Sequence, residues 1–166
     1  MDLQPGDIFL TRNPMALGKA INWIQRIKSN DNESIYSHAG IITTDSGMTL
    51  EALWTIKSQN LFDAYEGSRV MIGRNTRMTK DRYIKGIKTV RPFTGRRYPF
   101  HRLFLHLIPG ASKYINTGRF LVCSELVDKF LFEAGIEKQY RGRNPDNIAD
   151  MIRDWKKWET VFEGDI

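Results

Sequence analysis

The chain holds one thiol, Cys123, and three histidines, of which His38 lies in the run Tyr36-Ser37-His38-Ala39-Gly40-Ile41-Ile42. A thiolate beside an imidazole is a nucleophile beside a general base, the pairing that acyl-thioester chemistry requires. A lone cysteine is more often an inert, buried small hydrophobe. Position argues for reactivity here. Cys123 falls where Phe120-Leu121-Val122 gives way to Leu126, Val127, Phe130, Leu131 and Ala134 at helical spacing. In the first turn of such a helix, unpaired N–H groups and the positive end of the dipole favour a thiolate. The same N–H groups can receive an oxyanion.

Glu51 stands among apolar neighbours in Thr49-Leu50-Glu51-Ala52-Leu53. A carboxylate on a core strand needs a partner, because an unpaired buried charge is expensive. Its register relative to His38 decides whether the two can meet. A two-residue loop at Asp45-Ser46 sets Glu51 opposite Gly40 and diagonal to His38 on one face, about 7–8 Å between backbones. A three-residue loop sets the two side chains on opposite faces. The spacing thus permits a Cys–His–Glu relay, in which the carboxylate fixes the imidazole tautomer. His38 as an idle, hydrogen-bonded strand-end residue is the competing reading. Small Ala39 and Gly40 leave room for another element to approach closely.

The elements that must position these residues follow from local pattern. Pro5-Gly6-Asp7 is a turn, and Ile8-Phe9-Leu10 a short buried strand. Asn13-Pro14 opens a helix with Leu17, Ile21, Ile24 and Ile27 on one face. Strands are expected over 35–44, 48–55 and 69–73, the first two joined as a hairpin through Asp45-Ser46-Gly47. Thr79 opens a short helix reaching about Lys88, and Val90-Arg91-Pro92-Phe93 is expected to be extended, since proline disfavours α in the residue before it. A helix over 99–108 ends at Pro109-Gly110. The Cys123 helix ends with Gly135 at the C′ position. Asn144-Pro145-Asp146 starts another, with Ile148, Met151, Ile152 and Trp155 on one face. Helix, several strands, then helices is the order of an α+β domain rather than a βαβ repeat.

Composition narrows the function classes. At 166 residues the chain is read as a single domain, 1–166, and 41% hydrophobic with 27% charged residues excludes disordered and low-complexity architectures. No apolar run reaches 18 residues, so no transmembrane segment is expected. Met1-Asp-Leu-Gln-Pro-Gly-Asp7 has no basic or apolar leader, which makes the cytoplasm the default compartment. No metal and no cofactor are expected: one cysteine cannot build a cysteine-based metal site, His101 and His106 diverge on their helix, and no phosphate-binding glycine loop occurs. The net charge of +6 is uneven. Ten basic residues between Arg74 and Arg102 face only Asp81. Such a band attracts anions, or is simply a solvated face.

Taken in order, Pro5-Gly6-Asp7-Ile8-Phe9, Ser37-His38-Ala39-Gly40-Ile41, Leu50-Glu51-Ala52, Gly95-Arg-Arg-Tyr98 and Val122-Cys123-Ser124-Glu125-Leu126-Val127 resemble the circularly permuted NlpC-type papain-like amidases, in particular the YiiX-like branch. The resemblance implies an antiparallel sheet packed against a nucleophile-bearing helix. By motif it implies Cys123 as nucleophile, His38 as base and Glu51 as the polar third member. Tyr98 matches the tyrosine of the family's Gly-x-Pro-Tyr motif, with Arg97 in place of its proline. With Ser124 and Tyr36, it is a candidate for substrate contact. The implied reaction is hydrolysis of an amide through an acyl-thioester, on a small peptide-like or acyl substrate derived from cell wall or lipid. Two other readings stand beside it. Lipid-directed acyl transfer or ester cleavage would use the same residues, although the related acyltransferases carry Asn-Cys-Glu-His-Phe where this chain has Val122-Cys123-Ser124-Glu125-Leu126. A non-catalytic nucleic-acid binder would use the basic band with Tyr83, Phe93, Tyr98 and Phe100 as stacking surfaces, but the chain has no recognised nucleic-acid motif.

Overall fold

Gly6 adopts a φ of +101°, a conformation open mainly to glycine, and turns the chain into strand β1 (Ile8–Thr11). The computed structural model describes residues 1–12, 36–96 and 123–166. The helix expected from Asn13-Pro14, the one expected over 99–108 and the stretch Phe120-Leu121-Val122 lie outside the described residues. Phe9 of β1 pairs with Gly40 of β2 (His38–Ile42) on one side and with Ile72 of β5 (Arg69–Asn75) on the other. Strands β3 (Thr49–Ala52) and β4 (Ile56–Lys57) extend one edge, and β6 (Trp158–Asp165) the other. Among the described residues this makes one antiparallel sheet in the order β4-β3-β2-β1-β5-β6. With its helices, the architecture is α+β.

The β2–β3 hairpin turns at Asp45-Ser46 and pairs Ile42 with Thr49 and Gly40 with Glu51. That is the two-residue register, the one that puts Glu51 and His38 on the same face. Helix α1 (Leu61–Tyr65) is capped by the Asn60 side chain and α2 (Lys80–Val90) by Thr79. Helix α3 (Cys123–Glu133) begins at the lone thiol. It closes with Gly135 at φ +69°, where the Gly135 and Ile136 N–H groups bond the Phe132 and Leu131 carbonyls. Helix α4 (Pro145–Asp154) starts with Asn144 as cap and proline in its first turn.

The expected extended segment at Val90-Arg91-Pro92-Phe93 is a correction. Helix α2 runs through Val90, and Arg91–Phe93 form a 3-10 turn with Arg91 in the α region. Proline fits there because the first turn of a helix makes no use of its missing N–H, and the Arg91 N–H still reaches the Ile87 carbonyl. The sequence reading omitted β4, α1 and β6.

Strand alternation divides the core. Ile8, Leu10, Ala39, Ile41, Leu50 and Met71 pack against α2, α3 and α4. Phe9, Ile42, Val70 and Ile72 face the other way, with Leu61 and Tyr65 of α1. Gly40 shares that second face, and a Cβ there would meet the Phe9 ring at 2.4 Å. The close approach at Gly40 is therefore made by Phe9, while Ala39 faces the helices. We expect Gly40→Ala to destabilise the fold by about 1–3 kcal/mol, a melting-temperature loss on the order of 5 °C. A variant that melts with the parent would mean that Phe9 has room to swing clear.

Candidate active site

His38 opens β2, and Glu51 sits one residue short of the end of β3. Their shared face puts His38 Nε2 2.6 Å from Glu51 Oε2. Both are sealed, at 2% and 0% exposure. Two more side chains converge on the carboxylate. Thr49, two residues earlier on the same strand face, donates from Oγ1 to Glu51 Oε1 at 2.7 Å. Tyr65, reaching in from α1, donates its hydroxyl to Oε2. A buried carboxylate with this many donors is a satisfied anion. Burial would raise the Glu51 pKa, but the hydrogen bonds from His38, Tyr65 and Thr49 and the charge of His38 hold it below the usual carboxylate value. The Tyr65 phenol is pushed far up by burial and by Glu51.

Phe9 packs edge-on to the imidazole at 5.9 Å between ring centroids, and Tyr65 lies 6.1 Å from it. These two rings flank the imidazole. With Nε2 on Glu51, Nδ1 is the nitrogen free to serve a nucleophile. Helix α3 packs on β2 and β3, and its first residue brings the Cys123 thiol into hydrogen-bonding contact with His38. Burial alone would drive the His38 pKa down. The hydrogen bonds with Cys123 and Glu51 and their charges overcome it and raise the pKa to about 10. With its pKa so raised, the ring is held as a cation at neutral pH between the Cys123 sulfur and a carboxylate.

The structure thus assembles Cys123, His38 and Glu51. Ser124 is buried in the first turn of α3 directly after the thiol. Tyr36 is placed differently: its hydroxyl donates to Glu163 Oε1 of β6 at 2.9 Å, and its N–H donates to Asp146 of α4. That anchors the chain two residues before His38, which is a positioning task. Tyr98, His101 and His106 lie outside the described residues. The sequence reading missed Thr49 and Tyr65. Thr49 was legible, because a strand residue two before Glu51 must share its face. Nothing in the sequence around Tyr65 announces its reach. Asp7, read only as part of a turn, is a buried carboxylate gripped in two places by Arg74, with both contacts at 2.8 Å.

A scan against protein-family models and a search of curated proteins gave no match. Among solved structures, the chain is similar to the metalloprotein YiiX from Escherichia coli O157:H7, with a TM-score of 0.65 and 17% identity over 100% of both chains. At that identity the likeness is one of fold. It agrees with the YiiX-like branch to which the sequence motifs point.

Two expectations follow from the charge network. The His38 pKa is raised from 6.5, so its stabilising contribution is full below about pH 6.5 and is lost as pH rises through about 10. Glu51 is lowered from 4.5, so its contribution holds above that value and is lost as pH falls below it. The melting-temperature gap between the parent and His38→Ala should therefore narrow steadily from pH 6.5 to 10. A gap that stays flat or widens would contradict a cationic ring. Separately, Tyr65→Phe should cost about 1.5–3 kcal/mol in denaturant unfolding, because it removes a donor to a buried charge. An unchanged midpoint would show that Glu51 needs no phenol.

Proposed function

We propose that this chain is a circularly permuted papain-like thiol hydrolase that cleaves an amide bond of a small peptide-like substrate through an acyl-thioester on Cys123. The observation that carries this reading is a cysteine at a helix start, hydrogen-bonded to a histidine whose Nε2 is held by a buried carboxylate. The chain order, with the His38 hairpin first and the Cys123 helix later, is the permuted order.

The reaction divides into two halves. In the first, the Cys123 sulfur as thiolate attacks the carbonyl carbon, and the N–H groups of the first turn of α3 receive the oxyanion. The tetrahedral intermediate collapses as His38 donates its proton to the leaving amine, which yields the thioester and a neutral imidazole. In the second, that imidazole takes a proton from water, whose hydroxide attacks the thioester. The carboxylic acid departs, and the thiolate–imidazolium pair is restored. Glu51 keeps the ring oriented and stabilises its charged form, and Thr49 and Tyr65 hold Glu51 in turn.

The solved relative is described as a metalloprotein. Among the described residues no group of three or more histidine, cysteine, aspartate or glutamate side chains could hold a metal ion. His38 and Glu51 direct their donor atoms at each other. The described residues do not fit a metal, and no step is routed through one. No helix among the described residues is long and apolar enough to cross a membrane.

An activated acyl ester tests the proposal without knowledge of the natural substrate. Incubation should leave one acyl group on Cys123 by mass spectrometry and release the leaving group with turnover. Cys123→Ala should abolish both, and His38→Ala should slow acylation by about 100-fold or more. Unaltered turnover in a folded Cys123→Ala protein would end the assignment.

A further inference from the structure

At the far end of α3 from the thiol, a cavity of about 390 Å³ opens between the last residues of β5, the α3–α4 connection and the start of β6. Thirteen residues of chain separate Cys123 from Ile136 on its wall, which at helical rise puts the cavity roughly 15–20 Å from the candidate active site. Its lining carries Arg77, Lys138, Arg141, Lys156 and Lys157. The one carboxylate among them, Glu137, is already paired with Arg143 at 3.1 Å. Five cations, none of them in an ion pair among the described residues, make a strongly positive recess.

Behind the wall lie two enclosed donors. Asn75 is only 2% exposed, and its Oδ1 accepts the Arg77 N–H at 3.0 Å, which fixes the orientation of its amide. Its Nδ2 has no hydrogen-bond partner among the described residues. The Arg77 guanidinium bonds the Ile136 carbonyl through Nη2, and its Nε is likewise unpartnered. A buried donor with no acceptor costs stability unless something supplies one. These two donors are enclosed, and it is the charge of the lining that points to an anionic occupant rich in acceptor oxygens. The indole of Trp155, with the Arg141 and Arg143 guanidiniums over it at 5.6 and 5.3 Å, and the adjacent Trp158 give the recess a flat apolar wall.

We infer that this cavity is a binding site for a phosphate ester. A phosphate dianion matches the excess of positive charge, offers oxygens to Lys138, Arg141, Lys156 and Lys157 together, and leaves its ester substituent against the indoles. The site is separate from the reaction proposed for Cys123 and does not depend on it.

Phenyl phosphate is the soluble probe, and phosphatidylcholine vesicles with and without phosphatidate present the same group on a lipid. Titration of the full chain, followed by tryptophan fluorescence and calorimetry, should give saturable binding of phenyl phosphate that weakens with added salt. The Lys138→Ala/Arg141→Ala double variant should lose affinity by about tenfold or more. Asn75→Asp, which sets a carboxylate where the donor stood, should lose it as well. Lys85→Ala/Lys88→Ala on α2 should bind as the parent does, and so should Cys123→Ala. Should Asn75→Asp not fold, the two surface double variants decide alone. Binding to phosphatidate vesicles but not to phenyl phosphate, abolished by the same substitutions, assigns the phosphate to a lipid headgroup. Failure to bind either probe, or equal weakening by both surface double variants, overturns the inference.

Discussion

A carboxylate with no exposure to solvent sits on β3, and the arrangement around it follows from the need to keep it charged. Removing one partner of a buried ion pair costs about 3–5 kcal/mol, because the other charge is left in a medium that solvates it poorly. Glu51 avoids that penalty with one cation and two hydroxyls, drawn from β2, its own strand and α1. Each donor comes from a separate requirement of the fold. The hairpin register brings His38, the pleat brings Thr49, and the packing of α1 on the second sheet face brings Tyr65. The register cannot slip by one residue without sending Glu51 to the face covered by α3 and leaving His38 behind.

This explains why so much of the candidate site was legible and where legibility stopped. The hairpin turn and the period of two determine which residues face each other, and both are local properties of 35–55. The start of α3 is local too: the periodic Leu126, Val127, Phe130 and Leu131 locate the helix, and Cys123 falls at its head. Tyr65 belongs to a five-residue helix too short to show a period, and its partner lies 14 residues away. Strand β6 escaped for a related reason. It is an edge strand whose residues after Trp158 are all exposed or half-buried, so burial imposes no clean alternation on its sequence. The Arg91 turn shows a local rule yielding to context, since a helix continuing from Thr79 carried Arg91 past the preference that proline imposes.

Charged residues outside the candidate site divide by the same logic. Much of the basic band that stands out in the sequence has internal work in the fold. Arg74 clamps Asp7, Arg77 and Arg82 bond backbone carbonyls, and Arg96 stacks over Phe93. Lys80, Lys85 and Lys88 stay on the exposed face of α2. The cavity at the end of α3 differs because its cations come from three distant stretches, around 77, 138–141 and 156–157, and converge only in the fold. Linear charge density therefore marked the band and gave no sign of the recess.

In the proposed reaction the charge state of His38 also orders the chemistry. A neutral imidazole would have to take the thiol proton in the same event that forms the carbon–sulfur bond. A ring with its pKa raised to about 10 is protonated beforehand, so attack and proton removal are separate events. The proton is then in place for the leaving amine, which cannot depart as an anion. Base catalysis becomes available only after that transfer, when the ring is neutral and water can enter. Glu51, by stabilising the imidazolium, keeps the proton on the ring until the leaving amine takes it. Once Cys123 is acylated, its hydrogen bond and charge no longer raise the His38 pKa, so the ring that gave up its proton can stay neutral and serve as the base for water.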